Sequence, residues 1–269
     1  MRLIKFLVKR WFPRKLLRIV KDTYDETIGR KNAKNFCGDA VFCPCCGKRF
    51  SRFMDFSVTR INHTERYLNT YQNTLCPYCV SMPRHRIICN YLEKNKHVIA
   101  NQNIMMFGAE FSIRKWFDRN GFRYRTADLF DRSAELKIDI QQILFPDESW
   151  NLIVCNHVLE HVPDYKAALK ELHRVLHKSG LLEITVPTDS NRETVYENPN
   201  IVNEEERIKH FGQNDHLRIF GNDFNDVLKL CGFEVEVVDG STLPAEIRGV
   251  IGPADYDDNR VYICRKRIP

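Results

Sequence analysis

The chain has 269 residues, 43% of them hydrophobic, and a formal net charge of +6, enough for one large core plus a small module. The charge is concentrated: residues 1–21 hold eight Lys and Arg and no acid, which leaves the remainder at −2 and argues against a broad basic surface for nucleic acid, while leaving room for a local patch. No run of about eighteen uncharged apolar residues occurs, which excludes a membrane-spanning helix.

The first segment is amphipathic. Leu3, Leu7, Val8 and Trp11 gather on one side of a helix and Arg2, Lys5, Lys9 and Arg10 on the other. After Pro13 the faces swap, so two short pieces with a break at Pro13 are expected. A basic face beside Trp, Phe and Leu suits an anionic bilayer surface through residues 1–21. Packing on the protein's own body with the charges in water is the plainer alternative, and an organelle transit peptide is a third, weakened by the absence of Ser before Ser51. Lys5, Lys9 and Arg10 interrupt the apolar core of a secretory signal. The ten cysteines, several of them in expected core elements (Cys89, Cys155, Cys231, Cys264), fit a reducing cytoplasm better than a disulfide framework.

Next come two Cys-x2-Cys turns, Cys43-Pro44-Cys45-Cys46-Gly47 and Cys76-Pro77-Tyr78-Cys79. Their spacing is that of a zinc ribbon, with Cys43, Cys46, Cys76 and Cys79 as ligands to one structural Zn²⁺. Cys37 and Cys45 are spare thiols, and Cys45 competes with its neighbours; the bland alternative is a set of reduced core cysteines. A strand is expected from Arg52 to Val58 and a helix from Ser81 to Asn95. Arg84, His85 and Arg86 near the start of that helix are either contacts for an anionic ligand group or solvated charges.

The remainder reads as alternating strands and helices. A strand from Asn103 to Phe107 runs into Gly108-Ala109-Glu110 and a helix from Phe111 to Arg119; Phe122 to Thr126 is a second strand, with Asp128 beyond it. Asp128 lies twenty positions after Gly108, where an acid can accept both hydroxyls of a ribose; a turn Asp is the alternative, with Asp131 as competitor. Asp139 and Ile140 end a third expected strand, and Asn151 to Cys155 form a fourth. A helix begins at Asp164 and closes at Gly180, and Leu181 to Val186 follow as a strand. Strand, crossover helix and parallel strand bind ligands at the carboxyl ends of the strands, where Asn156, His157, Glu160 and His161 fall.

The ordered set Asp139-Ile140, Phe145-Pro146-Asp147, Cys155 to Asp164 and Arg174-Val175-Leu176 before Gly180 resembles the class I S-adenosylmethionine-dependent methyltransferases, specifically the type 11-like group, over roughly residues 100 to 269. The resemblance implies an α/β fold: a Rossmann-like methyltransferase sheet with helices on both faces, preceded by the zinc-ribbon-like module and the basic amphipathic segment. Three units are expected, at 1–35, 36–97 and 98–269. The family's glycine-rich loop falls at Gly108, where one glycine remains, with Glu110 reaching the methionine end of the cofactor. Asp128 would hold the ribose, Asp139 the adenine amino group, the Ile140 amide the ring, and Asn156 completes the cofactor set. His161 is the expected base for a hydroxyl acceptor, or a residue that only fixes the loop.

A second constellation runs from His210 to Gly221, in an insertion position that commonly supplies the acceptor pocket of this fold. His216 is its catalytic candidate, and Asp215, Arg218 and Tyr196 are expected to bind substrate; a lid with surface charges is the alternative. The expected activity is O-methylation of a small or glycan-like acceptor, in the cytoplasm and peripheral to the inner face of the membrane. The alternatives are an RNA methyltransferase that uses the zinc module for RNA, and a non-catalytic binding protein on a degenerate fold. Against RNA stand the near-neutral body and Asn156-His157-Val158, which replaces the motif used for exocyclic base amines.

Overall fold

A computed structural model describes residues 13–61, 66–100, 102–249 and 260–267. The first amphipathic piece, Leu3 to Trp11, lies outside them. Pro13 caps helix α1 (Arg14–Ala33) with φ −56°, as suits a residue with no N–H to satisfy at a helix start. The helix lies against the protein with its charged side inward. Arg14 Nη1 donates to Ala134 O (3.4 Å), Arg18 to the Tyr124 hydroxyl, Arg114 to both oxygens of Asp22 (2.7 Å each), and Lys115 to Glu26. The outward face is apolar: Ile19 is 52% exposed, Val20 53% and Tyr24 64%. Neither expected arrangement had charged side chains turned onto the protein, Arg18 and Asp22 about three-quarters covered, with hydrocarbon left in solvent.

The cysteine module consists of a tight hairpin, β1 (Val41–Cys43) with β2 (Lys48–Phe50), a long one, β3 (Met54–Ile61) with β4 (Arg66–Leu75), and the second cysteine turn. Helices α2 (Pro83–Lys94) and α3 (Lys96–Ile99) lead into the sheet. The sheet is built from β5 (Ile104–Phe107), β6 (Arg125–Ala127), β7 (Trp150–Asn156), β8 (Leu176–Thr185), β11 (Phe233–Asp239) and β12 (Arg260–Lys266), in the order β11-β12-β8-β7-β5-β6. The strands β6, β5, β7 and β8 run parallel, and β12 is antiparallel to both neighbours. Helix α4 (Phe111–Arg119) connects β5 to β6, and α5 (Tyr165–Val175) connects β7 to β8. A small hairpin of β9 (Tyr196–Glu197) and β10 (Arg218–Ile219) flanks α6 (Glu204–Phe211), and α7 (Phe224–Leu230) and α8 (Ala245–Arg248) precede and follow β11.

Each face of the sheet has its own core. On one side Met106, Val154 and Ile263 pack with Trp116 and Phe117 of α4, with Ile87 and Ile88 of α2, and on to the buried thiols of Cys43 and Cys79. The cysteine module thus shares a core with the sheet. On the other, Ile153, Cys155 and Ile184 pack with α5 through Ala168, Leu169 and Leu172, the apolar stripe read at helical spacing.

Three local expectations are corrected. Ile138–Ile140 is not a strand: the Asp139 carboxylate accepts the Gln141 N–H (2.9 Å) in a turn, a local bond that competes with a sheet ladder, and only a bridge from Ala127 to Leu136 marks the position. The second strand starts at Arg125 because Phe122 folds back to stack on Trp116 (ring centroids 5.4 Å). Helix α5 stops at Val175, so Gly180 does not close it. Gly180 instead lies within β8, where a Cβ would sit 2.9 Å from His177 O and 3.0 Å from Asn151 O.

Candidate functional site

At the carboxyl end of β5 the chain turns at Gly108 with φ +60°. A Cβ there would lie 2.5 Å from the Asn156 carbonyl oxygen and 3.0 Å from Val158, so only glycine lets the β5 turn and the loop after β7 approach this closely. Glu110 follows at the start of α4. Its carboxylate accepts from Arg84 Nη2 (2.9 Å) and His85 Nε2 (2.7 Å), while His85 Nδ1 accepts the Met82 N–H (2.9 Å) and so fixes the tautomer. Burial pushes the Glu110 carboxyl up, but the charges and hydrogen bonds of His85 and Arg84 outweigh it and hold the group well below the usual carboxylate range.

Asp128 stands at the end of β6, where its Oδ1 accepts the N–H groups of Phe130 and Asp131 (2.7 Å each). The competitor Asp131 is engaged by Lys21 Nζ (3.3 Å) and the Ser133 N–H (2.8 Å). A recess lined by Ala109, Arg114, Asp128 and Arg18 connects the ends of β5 and β6 with helix α1. The glycine-only turn beside an acid at the next strand end fits an adenosine-bearing cofactor. Asp139 lies beyond, half-buried and turned onto Gln141, and the Ile140 side chain is buried with Ile143.

The Asn156 side chain is not available to a cofactor. It is buried and turned into the sheet, where its amide nitrogen donates to Glu183 Oε1 (3.0 Å), Glu183 Oε2 (3.1 Å) and Thr185 Oγ1 (2.9 Å). Glu183 is itself wholly buried, and burial, with the nearby Glu110 charge, raises its pKa well above the ordinary value. Sequence reasoning passed over Glu183, although an acid inside the apolar run Leu181 to Val186 is a visible signal.

The loop after β7 carries the second half of the site. His157 adopts φ +49°, a strained conformation for a non-glycine residue, and a single turn of 3-10 helix follows at Leu159–His161. Arg218 holds this loop in place: its guanidinium donates to Leu159 O (2.8 Å), Val162 O and Pro163 O (2.9 Å), and to Glu197 Oε2 (2.9 Å). Expected to bind substrate, Arg218 is buried and spends its donors on backbone. Tyr196, also expected there, bonds its hydroxyl to His210 Nδ1 (2.8 Å) and lies under Arg192.

His161 and His216, by contrast, are brought together, with ring centroids 4.8 Å apart. His161 Nδ1 lies 3.3 Å from Asp215 O and 3.5 Å from Asp215 Oδ2, and His216 Nδ1 lies 3.0 Å from Phe211 O. Burial lowers the His216 pKa, a shift that Glu160 and the Phe211 carbonyl only partly offset. Glu160, not singled out among the candidates, is buried beneath both rings with His157 Nδ1 3.1 Å from its Oε1. Burial pushes Glu160 up, and His157 reverses the shift.

The four expected zinc ligands converge. Sγ–Sγ distances are 3.6 Å for Cys43–Cys79 and 3.7 Å for Cys46–Cys76, and all four sulfurs lie within 4.8 Å of one another. A tetrahedral ion with Zn–S bonds of about 2.3 Å requires edges of about 3.8 Å, so the set fits zinc. Cys45 points away to His85 O (3.3 Å) and Cys37 bonds Lys34 O (3.3 Å), which leaves both outside it. Burial opposes ionisation of the thiols, and hydrogen bonds from neighbouring thiols overcome it at Cys43 and Cys79. Arg86, expected to face a ligand or solvent, is instead buried behind the cluster. It donates to Thr74 O, Ser81 O, Ile247 O and Arg248 O at 2.7–2.9 Å and stacks on Phe53. Burial lowers its pKa, and the thiols of Cys43, Cys45, Cys76 and Cys79 act in the opposite sense.

Residues 112–238 match the family model of a methyltransferase domain, a stretch that contains Asp128, the loop after β7 and His216. Over 56 residues the chain is 39% identical to the demethylmenaquinone methyltransferase of Chlamydia caviae; the match covers 20% of this chain and 24% of that protein, so the chain spans about a quarter of the curated relative's length. The solved structure of 1,6-didemethyltoxoflavin-N1-methyltransferase from Burkholderia thailandensis is 15% identical, covers 68% of this chain and 79% of its own, and has a TM-score of 0.46. An S-adenosylmethionine dependent methyltransferase from Mesorhizobium loti is 14% identical, with coverage of 67% and 98% and a TM-score of 0.45. Residues 112–238, just under half of the chain, are thus similar to a methyltransferase domain.

Proposed function

We propose that the protein transfers a methyl group from S-adenosylmethionine to a hydroxyl of a small or glycan-like acceptor. The observation that carries this reading is the convergence of Glu160, His161 and His216 beside the Gly108 turn. The cofactor supplies a methyl group already activated on a sulfonium, so the residues need to position the acceptor and take charge of its proton. Gly108 admits the cofactor to the strand ends, Asp128 receives the ribose, and Glu110 with Arg84 and His85 forms a charged wall at the methionine end. The acceptor's proton leaves through the group formed by His161 and His216. Asp215, beside His161 at the surface, faces the incoming acceptor.

Titration calorimetry with S-adenosylmethionine tests the cofactor, and a screen with methyl-labelled cofactor against glycan precursors, small hydroxylated acceptors and RNA tests the acceptor. Absence of cofactor binding would reject the activity, and label entering RNA alone would reject the acceptor class. We further propose that residues 1–21 bring the protein to an anionic surface. The outward Ile19, Val20 and Tyr24 support this, and equal flotation on anionic liposomes with and without those residues would reject it.

A further inference from the structure

We propose that Glu160, His161 and His216 form a binding site for a divalent transition-metal ion, separate from the cysteine site. Each residue brings a ligand atom within 4.8 Å of the others. An ion held at about 2.0–2.2 Å from each requires only that the side chains close inward.

The hydrogen bonds around the trio leave the correct atoms for an ion. Both imidazoles spend Nδ1 on a backbone carbonyl, His161 on Asp215 O (3.3 Å) and His216 on Phe211 O (3.0 Å). With Nδ1 turned to a carbonyl, Nε2 is the nitrogen left to each ring for an ion, which is the arrangement that orients a metal-binding histidine. The carboxylate supplies a second, independent observation. Glu160 is 0% exposed, with His157 Nδ1 3.1 Å from its Oε1. A buried carboxylate is costly unless its charge is balanced, and an ion held with the two imidazoles supplies a charge that His157 supplies only when protonated.

The frame is preorganised. The Leu217 N–H donates to Glu160 O (2.8 Å) and Arg218 fixes Leu159, Val162 and Pro163, so residues 55 positions apart, His161 and His216, are held together by backbone bonds that need no ion. Two imidazoles and one carboxylate suit Zn²⁺, Fe²⁺, Co²⁺ or Mn²⁺, whereas Ca²⁺ and Mg²⁺ prefer all-oxygen shells. Three protein ligands leave further coordination positions open. They would take the acceptor hydroxyl and a neighbouring oxygen, which narrows the acceptor to compounds with adjacent oxygens and makes the hydroxyl more acidic. With both imidazoles bound to the ion, the proton passes to water in their place, the oxygen bonds the methyl carbon, and the C–S bond breaks with its electron pair left on sulfur. This role rests on the methyltransferase reading; the binding of the ion does not.

The test is a metal count on the untagged full chain after saturation with Zn²⁺, Co²⁺ or Mn²⁺ and gel filtration. Two equivalents per chain are expected with Zn²⁺ or Co²⁺. The second is lost in His161→Ala and in Glu160→Gln, while the first persists in both. The His161 side chain is 33% exposed, so its variant keeps the fold even where His216→Ala does not. With Co²⁺, the second equivalent adds weak visible bands without thiolate charge transfer. One equivalent with every ion, or a second equivalent that survives in both variants, overturns the proposal. Calorimetry with S-adenosylmethionine on the same samples separates the two readings: cofactor binding with a single metal rejects only the new site, and two metals without cofactor binding rejects only the activity.

Discussion

Replacing Arg218 with Met keeps most of the side-chain volume and removes every donor. Two carbonyl oxygens, those of Val162 and the more exposed Pro163, then lose the guanidinium that serves them, and Leu159 O keeps only the long bond from the Val162 N–H (3.4 Å). Each buried acceptor left unpaired costs about 1–3 kcal/mol, and breaking a buried charged network from one side costs about 3–5 kcal/mol in total. The Glu197 ion pair adds little, because that carboxylate is 50% exposed and exposed pairs are worth about 0–1 kcal/mol. The expected order is therefore Arg218→Met destabilised by about 3–5 kcal/mol and Glu197→Gln by less than about 1 kcal/mol, with Arg218→Lys between them. Thermal unfolding should show a fall of roughly 10 °C for the Met variant in a chain of this size, with loss of methyl transfer as the His157–Asp164 loop slackens. A Glu197→Gln variant as unstable as Arg218→Met, or an Arg218→Met variant within about 1 kcal/mol of the parent, would refute the assignment of the energy to the carbonyls.

Gly108→Ala puts a methyl 2.5 Å from a backbone oxygen at φ +60°; the backbone conformation alone costs about 1–2 kcal/mol, and calorimetry should find cofactor affinity reduced by more than about tenfold. Asp128→Ala should weaken cofactor binding, whereas His161→Ala should spare it and abolish turnover; the reverse pattern in paired calorimetry and rate measurements would exchange their roles. Glu183→Gln should stabilise the protein, increasingly so as pH rises above about 4.3. The folded-state pKa of Glu183 is raised above an unfolded value of about 4.3, so the parent loses stability by up to about 1.4 kcal/mol per pH unit above that value while the glutamine variant does not. A stability difference that does not change with pH in urea titrations would contradict this. Stripping the metal with a chelator, or Cys76→Ser, should release one zinc per chain and lower the melting temperature, and Arg86→Met should accelerate metal loss.

Where the sequence could be read, one residue type admitted one geometry. The run into Gly108 located β5 to within one residue and the helix Phe111–Arg119 to the residue, since an apolar strand that ends in glycine before an amphipathic stretch leaves few alternatives. The cysteine spacing selected Cys43, Cys46, Cys76 and Cys79 over Cys45, because sulfurs three residues apart face one point. The failures share a different cause. Asn156, Arg86 and Arg218 sit where expected along the chain, but which way a polar side chain turns depends on acceptors far away in sequence. Arg218 finds carbonyls 55–59 positions earlier, and Asn156 finds an acid on the adjacent strand. The third strand failed for a local reason: Asp139 bonds its own backbone two residues on, and the ladder yields to it.

Arg86 also sets an order of events during synthesis. The second cysteine turn is translated only a few residues before it, and Thr74 and Ser81 are ready at once. The carbonyls of Ile247 and Arg248 arrive 161 and 162 residues later. At a ribosomal pace of about 5–20 residues per second, the nascent chain spends on the order of ten seconds or more with this guanidinium only half-satisfied. During that interval the module must keep Arg86 hydrated, so it closes fully only when the segment around residue 248 docks.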